Sequence, residues 1–292
     1  GEFNGEFVWK KAEGGYGPLR RMLFRPIVAL RNVLFRRAAG FLSVSTPIRD
    51  ELTACGVSPE RVTTIPNGLD TEAFQARTDA QRRRLRQRLG VSDEILFAYA
   101  GKLIRGKGLS LLLSVWRRYA ANHPKARLLL VGSGTGQFLS CEDELRAFVD
   151  RHHLDASVIF TGYVENVADY LSAADCFVFP SESESQGLAV LEAMACGVPA
   201  IASRIPGVMD MIEDGVTGRL VDPHDPEGWL RAMRDFDPSD PAVPARTENA
   251  VKRARDDFDI TTVCDRHLDL FSGLVRHLDW HDKAGRVHSR GP

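Results

Sequence analysis

The sequence predicts an α/β protein, with a Rossmann-like domain on a parallel sheet preceded by part of a second Rossmann-like domain. Three observations predict it. Five short apolar runs alternate with helical patterns between residues 95 and 203. Strands alternating with helices make right-handed βαβ units and therefore a parallel sheet. Two more apolar runs, at residues 40–45 and 61–66, flank a helical pattern at 47–55; two strands are too few for a stable open sheet. Finally, 292 residues at 43% hydrophobic and 26% charged suit one full domain and part of another.

Before residue 40 there is no strand pattern, only a glycine-rich loop and an arginine-rich helical stretch. The remainder of the first domain is therefore expected to lie outside this chain, and the start Gly1-Glu2-Phe3-Asn4 fits a trimmed or fragmentary sequence. A charged connector at 71–90, with five arginines from Arg82 to Arg88, predicts a helix. Runs at 95–100, 126–131, 158–161, 176–180 and 199–203 predict buried strands. Helices are predicted at 109–122, 142–153, 167–174 and 188–195. After Asp222 come proline-rich turns, then helices near 247–258 and 261–278. The expected division is a partial first domain at 1–75 and a connector at 76–92. The Rossmann-like domain occupies 93–245, then come helices at 246–280 that pack back on the first domain, and a polar tail at 281–292.

Charge and cysteines narrow the classes. A formal net charge of -1 excludes a uniformly basic nucleic-acid binder. No apolar run has the length of a membrane-spanning helix. The five cysteines, Cys55, Cys141, Cys176, Cys196 and Cys264, form no C-x-x-C pair, which fits scattered thiols in a reducing, cytoplasmic setting. The stretch bounded by Arg20 and Arg37 carries six arginines among apolar residues. It fits either the anionic inner face of a membrane or a core-packed helix with a solvated basic face.

Chemistry concentrates in two loops. Pro180-Ser181-Glu182-Ser183-Glu184-Ser185-Gln186-Gly187-Leu188 leads from a predicted strand into a helix that carries Glu192 and stops at Gly197. The unpaired N–H groups of Gln186, Gly187 and Leu188 at a helix start attract an anion. Carboxylates at Glu184 and Glu192 accept strong hydrogen bonds from hydroxyls. Both glutamates also fit a plain helix start, where carboxylates are favoured. The second loop, Gly101-Lys102-Leu103-Ile104-Arg105-Gly106-Lys107-Gly108, sets cations at a strand's carboxyl end, where they suit a diphosphate or simply solvent. Gly132-Ser133-Gly134 comes after another strand and reads equally as a tight turn.

These segments, in this order, resemble family 4 of the retaining glycosyltransferases of GT-B fold. The E-(seven residues)-E spacing of Glu184 and Glu192 before a small-residue helix resembles the family signature. Residues 101–108 resemble its G-R-L-x-x-x-K-G element, with Lys102 in place of Arg; Gly132 to Gly134 resemble its G-x-G loop. Ile65-Pro66-Asn67-Gly68-Leu69-Asp70 resembles its I-P-N-G-x-D turn.

The resemblance implies transfer of a sugar from a nucleoside diphosphate sugar to a hydroxyl acceptor, such as a glycan, a lipid-linked saccharide or a small molecule. It implies retention, polysaccharide biosynthesis as the setting, and no metal or other cofactor. Lys102, Lys107 and Glu184 would be catalytic. Gly101, Gly134, Tyr163, Val164, Ser185, Gln186, Gly187, Leu188 and Glu192 would bind the donor, with Glu184 at the sugar and Glu192 at the ribose. Gln186 stands where Phe is common, a departure expected to alter sugar choice. Family members carry a complete first domain with a histidine near the reaction centre, and none of the eight histidines here matches it. This chain alone is therefore expected to turn over weakly or not at all. Two rival readings remain: a non-hydrolysing sugar-nucleotide epimerase, which would isomerise a donor without an acceptor, and a non-catalytic nucleotide-sugar-binding remnant.

Two D-x-D sequences, Asp235-Phe236-Asp237 and Asp257-Phe258-Asp259, lie among charged C-terminal helices and read as surface rather than metal ligands.

Overall fold

The computed structural model describes Leu30, Val33, Ala38 and residues 40–287, with side chains described as far as Leu274. Two compact units are present, Gly1–Pro66 and Asn67–Pro292.

In the first unit, β1 (Phe41–Ser43) and β2 (Val62–Thr64) pair in parallel, with Phe41 opposite Val62. They are joined by α1 (Thr46–Ala54) and a 3-10 turn at Pro59–Arg61. Pro47 sits in the first turn of α1, where its missing N–H removes no helical bond. The hydroxyls of Ser43 and Thr64 share a 2.8 Å hydrogen bond across the pair.

The second unit begins with the connector helix α2 (Asp79–Arg88), started by a capping box between Thr78 and Gln81. A six-stranded parallel sheet comes next, in the order β5-β4-β3-β6-β7-β8. Its strands are β3 (Leu96–Ala100), β4 (Arg127–Val131), β5 (Val158–Gly162), β6 (Cys176–Phe179), β7 (Ala200–Ser203) and β8 (Arg219–Val221). The helices between them are α3 (Leu109–Ala120), α4 (Glu142–Arg151), α5 (Val167–Ala173), α6 (Leu188–Ala195) and the short α7 (Pro206–Met209). After β8 come α8 (Pro226–Arg234), α9 (Ala242–Phe258) and α10 (Ile260–Val287).

Central strands buried on both faces read as continuous apolar runs, not as alternation. Every residue of β3, β6 and β7 is buried. Phe97 of β3 lies edge-on to Trp116 and Tyr119 of α3 and to Phe236, at centroid distances of 5.4–6.0 Å. On α9, Ala250, Ala254 and Phe258 join this core, and the helix packs on α6.

Two predicted arginines of the connector fasten it to the amino end of the sheet. Arg86, buried, donates to Asp175 and to the carbonyls of Ala173 and Ser92, each at 3.0 Å, and also to the carbonyl of Glu94. Asp175 takes a second ion pair from Arg82 and accepts the Leu96 N–H at 2.8 Å. A charge this buried is stable only when its bonding capacity is filled, and here it is.

Three elements differ from the sequence reading. The short α7 and β8 were not expected, and the proline-rich turns after Asp222 contain helix α8, whose Trp229, Leu230 and Met233 are buried. Pro226 starts that helix from its first turn rather than breaking it. Cys141, Cys176 and Cys196 are buried thiols, Cys55 is half-buried and Cys264 exposed; none of the five is in a disulfide. The basic stretch at 20–37 lies outside the described residues except for Leu30 and Val33, which are exposed. No described helix is long and apolar enough to cross a membrane.

Candidate functional site

Strand order locates the site. The chain runs from β3 outward through β4 and β5, then returns to the other side of β3 as β6. That reversal opens a crevice at the carboxyl ends of β3 and β6, the position where open α/β sheets bind ligands. The two loops that leave these ends are residues 101–108 and 180–187.

The loops are joined backbone to backbone. Glu182 N–H donates to the Gly106 carbonyl at 3.0 Å. Gly108 has a φ of 66° as the N-cap of α3, and a Cβ there would stand 1.9 Å from the Pro180 carbonyl oxygen. Only glycine permits both the left-handed turn and that approach.

Lys107 and Glu184 meet in this crevice. Lys107 Nζ donates to Glu184 Oε1 at 2.5 Å, with side chains 23% and 13% exposed. Ser181, fully buried, donates its hydroxyl to the same Oε1 at 2.7 Å. Tyr99 lies beneath, its hydroxyl donating to the Lys102 carbonyl at 3.1 Å. Burial, and then the charge of Glu184, push the Tyr99 phenol far above its ordinary range, so it stays protonated. The Lys102 side chain is exposed and forms no bond with the described residues. Serine and tyrosine here were missed by the sequence reading; Ser181 sits three residues before Glu184.

The helix start lies beside this pair. Gly187 caps α6 in the left-handed conformation, with φ 80°. The N–H groups of Gln186, Gly187 and Leu188 meet no acceptor among the described residues. Gly207 of α7 packs against the loop so closely that a Cβ would come 2.3 Å from the Glu184 carbonyl oxygen and 2.9 Å from that of Ser185. One turn into α6, Glu192 is half-buried and has no hydrogen-bond or ion-pair partner among the described residues; burial raises its pKa. It is a carboxylate without a partner, on the helix that starts at the crevice.

Two expected contacts are placed differently. The Gly134 N–H is already spent on Glu142 Oε2, at 2.7 Å, and Gly134 is buried against Ser140 and Leu103. Burial opposes ionisation of Glu142, but bonds from Gly134, Arg146 and Ser133 hold it below the usual carboxylate range. Gly134 therefore braces a turn and offers a ligand no free N–H. The Gln186 side chain is 3% exposed and turned away to the backbone of Asn67, so it cannot select a sugar by touching it. Gly101 stands at the mouth, where a Cβ on Gly132 would come 2.0 Å from its carbonyl oxygen. Tyr163, 80% exposed, and Val164, packed on the core, come directly after β5 at the same edge of the sheet.

The second D-x-D spans the end of α9 and the start of α10. Asp259 accepts from Thr261 and from Thr71, which together hold its pKa at about 2.

A parallel sheet with cations and free helix-start N–H groups at its switch point, and an unpartnered carboxylate one turn into that helix, has the chemistry that suits an anionic, hydroxyl-bearing ligand. Comparison with known proteins makes this specific. The family model described as "Glycosyl transferases group 1" matches residues 81–254, well over half of the chain, and "Glycosyltransferase Family 4" matches residues 4–73. The chain belongs to the group 1 glycosyl transferases.

Among its relatives is the D-inositol 3-phosphate glycosyltransferase of Acidothermus cellulolyticus. It is 32% identical over 201 residues, covering 66% of this chain and 44% of that protein. The sulfoquinovosyl transferase of Arabidopsis thaliana is 32% identical over 218 residues, covering 73% and 40%. The chain thus spans under half the length of these curated relatives. Solved structures share the fold, of GT-B type. Anabaena HepE, in complex with UDP and glucose, has a TM-score of 0.77 at 23% identity, covering 84% of this chain and 66% of that one. Sucrose-phosphate synthase from Thermosynechococcus elongatus has 0.74 at 27%, covering 86% and 62%.

Proposed function

We propose that residues 93–245 bind the nucleoside diphosphate sugar of a retaining, metal-independent glycosyltransferase, and that the first unit, which ends at Pro66, belongs to its acceptor-side domain. The observation that carries this reading is the Lys107–Glu184 pair at the switch point, beside unpaired helix-start N–H groups and one turn from the lone carboxylate of Glu192. A related protein crystallised with UDP and glucose supports the choice of ligand class.

In this reading the diphosphate takes Lys107, Lys102 and the N–H groups of Gln186 to Leu188. These groups stabilise the charge that grows on the leaving diphosphate, and they need no reorganisation to do so. Glu184, released from Lys107, accepts from hydroxyls of the transferred sugar, and Glu192 accepts from the ribose. Gly101, Ser185, Tyr163 and Val164 border the donor. The acceptor hydroxyl attacks on the face from which the diphosphate departs, which gives retention. The acceptor carries a hydroxyl and is a glycan, a lipid-linked saccharide or a small molecule, met in the cytoplasm or at the inner face of the membrane.

A thermal-shift series with UDP, GDP and ADP tests the donor site, since a ligand of the folded state raises its stability by mass action. One of the three raises the melting temperature of the wild-type chain, and Lys107→Met lowers its affinity by about 10- to 100-fold, the effect of one charge-assisted hydrogen bond worth ~1.5–3 kcal/mol. No shift with any of them, or equal affinity in the variant, refutes the assignment.

A further inference from the structure

The Gln186 side chain has an unusual commitment. It lies within the loop that leads to the helix start, yet both ends of its amide are spent 119 residues away in sequence. Oε1 accepts the Asn67 N–H at 2.8 Å and Nε2 donates to the Asn67 carbonyl at 3.2 Å. The side chain is 3% exposed, so these bonds are made out of water, where each is electrostatically stronger and costly to leave unmade.

Asn67 is the first residue of the second unit, adjacent in sequence to Pro66, the last of the first. The next few residues are fixed from the other side. Leu69 donates to the Phe258 carbonyl at 2.8 Å and accepts from the Ile260 N–H at 2.9 Å. A Cβ on Gly68 would meet Ile260 at 2.8 Å, and Thr71 donates to Asp259. Residues 67–71 are therefore a strap held at the α9–α10 junction, and Gln186 is its tie to the loop.

We infer that Gln186 is a positioning residue that couples the diphosphate-binding helix start to the 67–71 strap, so that a nucleoside diphosphate on the N–H groups of Gln186, Gly187 and Leu188 tightens the strap. The inference rests on the donor-site reading above. The backbone N–H of Gln186 faces the ligand while its side chain holds Asn67. Any ordering of the residue by the ligand therefore reaches the point where the chain passes between units.

Amide hydrogen exchange followed by mass spectrometry tests this on the whole chain, using whichever of UDP, GDP and ADP gives the largest thermal shift. In the wild type, saturating nucleotide slows exchange of the peptide containing Asn67 to Asp70 at least fivefold. In Gln186→Ala, compared with the wild type at a nucleotide concentration that saturates each protein, the slowing in that peptide falls below twofold. Gln186→Glu provides a second variant that keeps the shape. Its ionised carboxylate can accept from Asn67 but cannot donate to the carbonyl, so the nucleotide effect is lost at pH 8. It returns as pH falls through the ordinary carboxylate range, where protonation restores one donor and one acceptor. A purely structural role would shift unliganded exchange and melting temperature but leave the nucleotide-dependent difference in place. Equal nucleotide-dependent slowing in the wild type and both variants overturns the coupling and leaves the donor site standing. Absence of nucleotide binding in the wild type overturns both.

Discussion

The two glycines that flank Lys107 separate conformation from contact within one loop. Gly106 and Gly108 both have positive φ, 84° and 66°. A Cβ on Gly106 would meet nothing within 4 Å, whereas on Gly108 it would stand 1.9 Å from the Pro180 carbonyl oxygen and 2.7 Å from the carbonyl carbon. Gly106→Ala therefore carries only the left-handed penalty of ~1–2 kcal/mol. Gly108→Ala adds overpacking of about 1–3 kcal/mol, and its obstacle is backbone that cannot rotate aside. The expected total is ~2–5 kcal/mol. Urea unfolding of the two variants beside the wild type measures the difference, with Gly108→Ala lower than Gly106→Ala by ~1–3 kcal/mol. Relief of the clash must push the 180–187 loop away from the 101–108 loop. Nucleoside diphosphate affinity should therefore fall in the Gly108 variant even at temperatures where it is fully folded. Equal stabilities would refute the argument that these loops are held apart by the minimum distance glycine allows.

Glu192→Gln should stabilise the unliganded protein while weakening nucleotide binding. Burial raises the carboxyl pKa in the folded state, so the folded protein binds the proton more tightly than the unfolded chain does. Stability then falls as pH rises from the ordinary carboxylate range through the raised value, and the Gln variant should lack that fall. Melting temperatures between about pH 4 and 8 measure it. Asp259 has the opposite sign: Thr261 and Thr71 hold its pKa at about 2. Its contribution is fully present above the unfolded carboxylate value and is lost as pH falls through about 2. Asp259→Asn should flatten the acid limb between about pH 4 and 2, read by circular dichroism.

Much of the fold was legible because the central strands are uninterrupted apolar runs. β3, β4 and β6 carry their burial in Leu96 to Ala100, Leu128 to Val131 and Cys176 to Phe179, with little else to interpret. β8 was not, since Arg219, Leu220 and Val221 are three edge residues with one charge among them. α8 was hidden by Pro226, which can mark a turn or the first turn of a helix; the buried Trp229, Leu230 and Met233 decide it. At the site, Lys107 and Glu184 were identified from their loops and do meet. The partners of Gly134 and Gln186 were not visible: Glu142 and Asn67 reach them only through the fold, by bonds no local spacing announces. Gln186 illustrates the limit well. A long polar side chain beside a pocket invites assignment to the pocket, and only the folded chain reveals that it faces the other way.

The reversal of strand order has a consequence for how the molecule comes to function. Lys107 and Glu184 are 77 residues apart in sequence. β3 and β6 become neighbours only after β4 and β5 have been threaded past on the far side. A growing polypeptide therefore carries half of its charge pair long before the other half exists, and contacts of such long range form slowly. Competence to hold a nucleotide should arise in one late step of maturation, when the sixth strand docks beside the third. Until then Lys107 is just another solvated cation.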